Sequence, residues 1–215
     1  MRLRNIKGAH DIIGQSSYLI SNPQNYKNNF KKIFENDNKI EIEIGMGKGD
    51  FIIEKAKRNP DINFIGIEKY ATVLVSVVKK LENESLPNLR IMNIDASEID
   101  EIFGQEVSKI YLNFSDPWPK KKHHSRRLTS EIFLNRYSKI FENDRIIEMK
   151  TDNRNLFEYS IICLSNCNYI FEEISLDLYK NIPEDNIQTE YERKFVSLGM
   201  PIYKLKVVQR LDSKN

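Results

Sequence analysis

Residues 39–49 read KIEIEIGMGKG, a strand-like run that passes directly into a glycine-rich turn. A central strand of a parallel sheet is usually apolar almost throughout, so the acid Glu43 at the end of this run breaks the local pattern. Departures of this kind tend to mark functional sites. The glycines allow a ligand to approach the backbone closely, beside the start of a helix. The stretch therefore predicts the first strand of a parallel sheet, with a ligand site at its carboxyl end.

The rest of the chain alternates between strand-like and helix-like runs. Runs typical of strands lie at 39–44, 63–68, 89–94, 109–114, 144–150, 169–174 and 202–209. Apolar residues at three- and four-residue spacing predict helices over 50–58, 71–84, 129–141 and 153–165. This alternation predicts an α/β, Rossmann-like fold, a mostly parallel seven-stranded sheet with helices on both faces. The last two strand runs have no helix predicted between them, which favours an antiparallel strand at that edge.

The length and composition limit the class of protein. A chain of 215 residues fits one domain (1–215), with residues 1–35 forming an appended N-terminal arm and helix. Its hydrophobic content of 40% is enough for a folded core. Apolar runs are too short to cross a bilayer, and the first residues lead into no hydrophobic signal segment. The two cysteines, Cys163 and Cys167, are expected to be buried thiols rather than metal ligands. We therefore expect a soluble cytoplasmic protein.

Positive charge is concentrated in one segment. Residues 117–127 contain five lysines and arginines and no acid, whereas the whole chain has a net charge of only +2. The rest of the chain is therefore mildly acidic. A localised basic patch on such a body is typical of polyanion binding, because each phosphate contact releases counterions. The alternative is a solvated basic loop.

Acidic residues recur where the predicted strands end. Glu68 follows the second strand and lies 19 residues after Gly49, where an acid can bind ribose hydroxyls. Asp95 follows the third strand and could accept a hydrogen bond from an adenine amino group. The dinucleotide pattern would need glycine where Asp50 stands, so a cofactor without phosphates fits better. Each acid alone is more often a helix cap. Together, Glu43, Glu68 and Asp95 at the ends of three successive strands, with the glycine turn, predict a pocket for S-adenosylmethionine.

The fourth strand ends in a rigid, acidic turn that leads into the basic segment. Residues 114–120 read FSDPWPK, with Asp116 between the strand and two prolines. Asp116 is expected beside the cofactor, and Trp118 offers a flat face for stacking on a base. The alternative is that Trp118 packs against a helix and Asp116 caps the turn.

Six motifs together resemble the bacterial tRNA (guanine-N7)-methyltransferase family. They occur in the family's order over nearly the whole chain. The motifs DPWPK and TEYERKF are highly specific, whereas the glycine turn is shared by many methyltransferases. The six are EIGMG (43–47), IE (67–68), DPWPK (116–120), RRL (126–128), KTDN (150–153) and TEYERKF (189–195).

The resemblance implies a class I methyltransferase fold and a role for each matching residue. Asp116 would be catalytic. The predicted cofactor contacts are Glu43, Gly45, Gly47, Glu68, Asp95 and Asp116. Substrate contacts would be Lys120, Asp152, Thr189, Glu190, Tyr191 and Glu192, and RNA contacts Lys122, His123, His124, Ser125, Arg126 and Arg127. No metal is implied. The family usually has Arg where Lys122 stands and Lys where Ser125 stands.

The implied activity transfers a methyl group from S-adenosylmethionine to N7 of a guanine in tRNA. By resemblance this guanine is at position 46 of the variable loop. Guanine N7 carries a lone pair and no proton, so no general base is needed. Asp116 would either stabilise the developing positive charge or hold the guanine edge. Reaching N7 is expected to require displacing the base from its tertiary contacts. We expect no membrane or DNA partner, and a monomer or homodimer.

Other functions fit parts of the sequence. Asp116-Pro117-Trp118 is similar to the acid-Pro-Pro-aromatic turn of adenine-N6 methyltransferases, but that reading leaves the basic segment and the 189–195 motif unexplained. A non-catalytic RNA-binding subunit would be expected to lack the strand-end acids, which are intact here. A nicotinamide-dependent reductase is disfavoured by Asp50 and the basic segment.

Overall fold

The computed structural model describes residues 6–210 of the chain. Residues 1–5 of the predicted N-terminal arm lie outside the described residues. The rest of that arm contains two short helices and one 3-10 turn ahead of the first strand. These are α1 (Ala9–Gly14), the turn Pro23–Tyr26 and α2 (Lys31–Phe34).

All seven predicted strands are present and form one sheet. Its order is β3-β2-β1-β4-β5-β7-β6, and strands β1 to β5 pair in parallel. Strand β7 runs antiparallel to both β5 and β6, which confirms the predicted antiparallel pairing at this end. The strands are β1 (Ile40–Ile44), β2 (Asn63–Ile67), β3 (Leu89–Met92), β4 (Val107–Asn113), β5 (Phe141–Thr151), β6 (Ile170–Ser175) and β7 (Tyr203–Gln209).

The four predicted helices are also present, with shifted ends in three of them. The run from Ala71 is rich in β-branched residues but forms a helix, because its apolar face, including Leu74 and Val78, packs into the core. The helices after β1 are α3 (Asp50–Arg58), α4 (Ala71–Leu81), α5 (Ile99–Ile102), α6 (Glu131–Tyr137), α7 (Arg154–Asn166) and α8 (Glu190–Ser197).

Two sequence predictions about the helices are wrong. The helix predicted over 129–141 ends at Tyr137, and Phe141 instead opens β5, where it pairs with Val107 of β4. The connection between β6 and β7 was predicted without a helix but contains α8. Its first turn is a capping box, in which Thr189 and Glu192 each accept a hydrogen bond from the other's backbone N–H.

The two faces of the sheet contact different hydrophobic clusters. Ile40, Ile42 and Ile44 of β1 pack with α6 and α7 in one cluster. The other cluster holds α1, α3 and α4 against β2 and β3. Since side chains alternate along a strand, Glu41 and Glu43 project to the face opposite the three isoleucines. This alternation explains how an acid can lie inside a strand whose other face is fully apolar. In the described residues no helix is long and apolar enough to cross a membrane.

Candidate active site

Five acidic residues lie at the carboxyl ends of five neighbouring strands, at the same edge of the sheet; Glu43 is the penultimate residue of β1 and the other four follow their strands. Parallel strands end at a common edge, so the order β3-β2-β1-β4-β5 places Asp95, Glu68, Glu43, Asp116 and Asp152 in a row. The chain reverses its strand order between β1 and β4. Crevices at such a reversal are where α/β proteins bind ligands. The sequence-predicted acids are therefore brought together by the topology.

Glu43 is a buried carboxyl group with one unpartnered oxygen. Only 2% of the residue is exposed, and its Oε1 accepts a hydrogen bond of 2.8 Å from Asn113 Nδ2. Its Oε2 has no hydrogen-bond partner. Burial raises the pKa of Glu43 from 4.5 to about 8, against the opposing effects of Asn113 and the Lys150 ammonium. A buried polar atom without a partner is costly, so Oε2 is suited to accept from a bound ligand.

The glycine turn leaves open space beside Glu43. Gly45 and Gly47 have φ values of 74° and 57°, a left-handed conformation that favours glycine. A Cβ atom added at either position would meet no atom within 4 Å, so the requirement is conformational and the space beside the turn is free. Glu43, Gly45 and Gly47 line one cavity with Asn113 and with Tyr191 of α8.

Glu68 is held in a defined orientation by backbone donors. One carboxylate oxygen accepts from Gly47 N at 3.1 Å and the other from Tyr70 N at 2.9 Å. Burial raises the pKa of Glu68, and the nearby negative charge of Asp116 raises it further. The carboxylate has about four acceptor sites, so it can still accept from a hydroxyl group. The glycine turn and the second acid are therefore one connected unit.

Asp95 has a structural role as well as its place in the row. It caps a 3-10 turn, where Oδ1 accepts from Ser97 N at 2.9 Å, and Oδ2 pairs with Lys69 Nζ at 2.5 Å. Burial acts to raise its pKa, but the Lys69 and Ser97 donors prevail and lower it to about 2. Asp95 is therefore ionised across the physiological range. The capping role is the alternative that the sequence left open, and it coexists with the position at the strand ends.

The Asp116 turn is held in an unusual backbone conformation. Phe114 and Trp118, which flank it, have φ values of 50° and 42°, in the left-handed region that is unfavourable for side chains other than glycine. Phe114 N donates to Lys150 O at 2.8 Å, which fixes the start of the turn. Asp116 itself is exposed. Strain of this kind persists where the surroundings hold it, and is common at functional sites.

Helix α8 brings part of the 189–195 motif to the same cavity. Thr189, Glu190 and Tyr191 line it opposite the glycine turn, and Glu190 forms an ion pair of 2.7 Å with Lys48 of that turn. The Phe114 ring lies parallel to the Phe195 ring of α8, with centroids 6.4 Å apart. The cavity is therefore bounded by the glycine turn, the end of β4 and α8.

The comparisons with known proteins agree with this arrangement. A family model described as "Putative methyltransferase" matches residues 37–205. A tRNA (guanine-N(7)-)-methyltransferase of Bacillus velezensis is 46% identical over 212 residues, 98% of each chain. The protein of the same name from a Geobacillus species is 47% identical over 209 residues, 96% of this chain and 95% of its own. The chain belongs to the tRNA (guanine-N7)-methyltransferase family.

A solved structure shares the fold of this family member. A 16S rRNA (adenine(1408)-N(1))-methyltransferase from Catenulisporales acidiphilia, solved with its cosubstrate SAM, superimposes with a TM-score of 0.63 at 12% identity. The match covers 90% of this chain and 93% of that one. At this identity the likeness concerns the fold alone, and it confirms the predicted class I methyltransferase architecture.

The chemistry of the residues around the cavity suits S-adenosylmethionine, the methyl donor of this methyltransferase family. The unpartnered Oε2 of Glu43 is suited to a cationic group, the space beside Gly45 and Gly47 is free, and Glu68 presents oriented carboxylate oxygens. The sequence predicted these four residues as cofactor contacts, but not the features that the structure gives them. Asn113, which orients Glu43, was not predicted. The available signal was a polar residue at the end of an otherwise apolar strand. Within residues 6–210, no group of three or more His, Cys, Asp or Glu side chains could hold a metal ion.

The basic segment of this methyltransferase lies next to the Asp116 turn. Residues 121–126 form a 3-10 turn, in which Lys121, Lys122, Ser125 and Arg126 are exposed, as is Lys120 just before it. Trp118 packs against this 3-10 turn. Its ring contacts the edge of His123 and lies 5.0 Å from the Arg126 guanidinium. His124 is half-buried beside Tyr159.

Two predicted contact residues are corrected by the structure. Arg127 is only 4% exposed, and its guanidinium donates to Pro117 O at 2.8 Å and Trp118 O at 3.3 Å above the Tyr159 ring. It therefore anchors the turn and is not part of the basic surface. Glu192 is fully buried and does not line the cavity, because its carboxylate is turned towards Lys150 inside the protein.

Replacing Arg127 with methionine tests its anchoring role. We expect Arg127→Met to lower the free energy of unfolding by about 1 to 2 kcal/mol, because two partly buried carbonyls lose their donor. The salt dependence of tRNA binding should stay unchanged, since the guanidinium does not face solvent. Urea unfolding and a salt titration of tRNA affinity measure the two effects. Unchanged stability with a shallower salt dependence would place Arg127 on the RNA surface instead.

Proposed function

We propose that this protein transfers the methyl group of S-adenosylmethionine to N7 of a guanine in tRNA, forming N7-methylguanosine. Family membership supports the reaction, and the observation that carries it is the position of Asp116 between the strand-end acids and the exposed basic segment. By resemblance, the guanine is at position 46 of the variable loop. The expected cytoplasmic location and the monomer or homodimer state stay predictions.

The side chains around the cavity would have different roles in the reaction. Bound S-adenosylmethionine supplies an electrophilic methyl group on a sulfonium, and Glu43, the glycine turn, Glu68 and Asp95 would hold it. Guanine N7 already carries a lone pair, so no residue has to remove a proton. The protein therefore has to place N7 in line with the methyl group and to match the positive charge that moves onto the base.

We assign the charge-matching role to Asp116. It is exposed two residues after Phe114, which lines the cavity, and near enough to Glu68 to raise the pKa of that carboxyl. Its turn is held at Phe114 by β5 and near Trp118 by Arg127. A carboxylate here can stabilise the cationic product base or accept from the guanine N–H groups. Tyr191 and Asp152 lie at the same edge of the sheet, where they can contact the base. Lys120 is exposed in the basic segment, just after this turn, and would contact a tRNA phosphate next to the target guanine.

One assay tests this function directly. The purified protein is incubated with labelled S-adenosylmethionine and an unmodified tRNA transcript, and the nucleosides are then analysed. We expect label in N7-methylguanosine, and its loss when position 46 of the transcript is changed from guanine to adenine. Label in N6-methyladenosine, or none with any tRNA, would overturn the proposal.

The basic segment is expected to carry the electrostatic part of tRNA binding. The double variant Lys122→Ala with Arg126→Ala should weaken tRNA binding and reduce the slope of log affinity against log salt by roughly 1 to 2 units. Both residues are exposed on the same 3-10 turn. The matched control is Lys32→Ala with Lys39→Ala, two exposed lysines before the amino end of β1. Equal slopes for the two variants would place the RNA surface elsewhere.

A further inference from the structure

Lys150 and Glu192 form a buried ion pair that joins two motifs 42 residues apart. Lys150 is the penultimate residue of β5 and is 1% exposed, and Glu192 is in the first turn of α8 and is 0% exposed. Lys150 Nζ donates to Glu192 Oε2 at 2.5 Å. The motifs KTDN and TEYERKF, separate in the sequence, therefore meet inside the protein.

Both charges have further hydrogen bonds from the segment that precedes α8. Lys150 Nζ also donates to Ile187 O at 2.7 Å and to Asn186 Oδ1 at 3.2 Å. Glu192 Oε1 accepts from Tyr179 Oη and from Asn186 Nδ2, each at 3.0 Å. A buried pair with its remaining donors and acceptors satisfied can hold one arrangement of the chain, although it adds little to stability.

Lys150 also holds the opposite wall of the cavity. Its carbonyl accepts from Phe114 N, which fixes the start of the Asp116 turn, while its ammonium fixes the start of α8. The Phe114 ring in turn stacks on Phe195 of α8. One residue therefore sets the distance between the turn that bears Asp116 and the helix that presents Tyr191.

Two further ion pairs of α8, with Lys48 of the glycine turn and Asp50 at the start of α3, are more exposed. Glu190 pairs with Lys48 and Arg193 with Asp50, and three of these four side chains are at least 39% exposed. Exposed pairs contribute little and are screened by salt. The buried pair is therefore the ionic contact best able to set the position of α8.

We propose that Lys150 and Glu192 are positioning residues for methyl transfer. This proposal rests on the proposed function. Their ion pair places α8 so that Thr189, Glu190 and Tyr191 face the substrate base across from Asp116. Glu192 does not touch the substrate. Its role in the motif is its contact with Lys150.

Removing both charges together tests this role without leaving one charge unpaired. In the double variant Lys150→Met with Glu192→Met, the fold should persist, because apolar side chains of similar size often replace a buried pair without loss of stability. We expect kcat to fall about 100-fold through misplacement of α8, with the KM for tRNA changed by less than about threefold. Hydrogen exchange of residues 190–197 should quicken, while that of β1 and β4 should not.

The matched control is Lys206→Met with Glu172→Met, a lysine–glutamate pair that joins β7 to β6 at 2.8 Å. It should keep wild-type kcat and exchange in α8. A folded Lys150/Glu192 double variant with wild-type kcat would overturn the proposal. A loss of kcat with unchanged hydrogen exchange in α8 would also overturn it, because that result indicates direct contact with the substrate. An inactive wild-type protein would instead overturn the proposed function, and this proposal with it.

Discussion

Replacing Asp116 with asparagine is expected to lower the rate of methyl transfer by about 100- to 1,000-fold, the size of effect seen when a preorganised electrostatic contact is removed from an active site. Asparagine keeps the shape of the side chain but not its negative charge, so the positive charge that moves onto guanine loses its partner. Binding of tRNA should change by less than about threefold, because the basic segment supplies the phosphate contacts.

Single-turnover rates measure the chemical step, and filter binding measures tRNA affinity. The matched control is Asp61→Asn, since Asp61 is an exposed aspartate at the amino end of β2, at the opposite edge of the sheet. It should behave as the wild type. A single-turnover rate for Asp116→Asn within about threefold of the wild type would remove Asp116 from the catalytic role.

Replacing Glu43 with glutamine is expected to weaken binding of S-adenosylmethionine by about 10- to 100-fold at pH 9, where the wild-type carboxyl is ionised. In the donor-free protein the pKa of Glu43 is about 8. A cationic ligand favours the ionised form, so the wild-type affinity should rise about tenfold from pH 7 to pH 9 relative to the variant. Taking the ratio of the two proteins' affinities at each pH cancels the effect of titrating the donor's own amino group.

The same substitution should have the opposite effect on stability. A carboxyl whose pKa is raised in the folded state loses its stabilising contribution as pH rises from its unfolded value of 4.5 through about 8. Glutamine carries no such cost, so the donor-free variant should melt at a higher temperature than the wild type at pH 9, and the difference should shrink towards pH 4. Calorimetric titration and thermal melting at each pH provide both measurements. Parallel pH profiles for the two proteins would contradict a titrating Glu43.

The strand-end acids were predictable because they follow from local patterns. An acid that interrupts an apolar strand, as Glu43 does, or that follows one, as Glu68 does, is visible in the sequence. The rule that parallel strands end at one edge then places them together. The same reasoning predicted the sheet and four helices. It missed α8, although the Thr189 and Glu192 spacing of a capping box was present, because the connection was read as a loop.

The roles of Arg127 and Glu192 were not predictable in the same way. Both are charged residues inside specific motifs, so the sequence favours surface contacts with RNA or substrate. Each is instead buried against partners distant in the chain: Arg127 against the carbonyls of the Asp116 turn, and Glu192 against Lys150. Nothing in the local pattern distinguishes a buried charge from an exposed one.

The amino-acid order alone established the sheet, the row of carboxyl groups and the concentrated basic segment, because periodicity and net charge act over short stretches of chain. Only the tertiary structure decided which of the charged residues face the cavity, since that depends on contacts between segments far apart in sequence. The burial of Glu43 raises its pKa, and the closure of β5 on α8 turns Glu192 inward. Both effects arise when water is excluded by packing, a property that no short stretch of sequence contains.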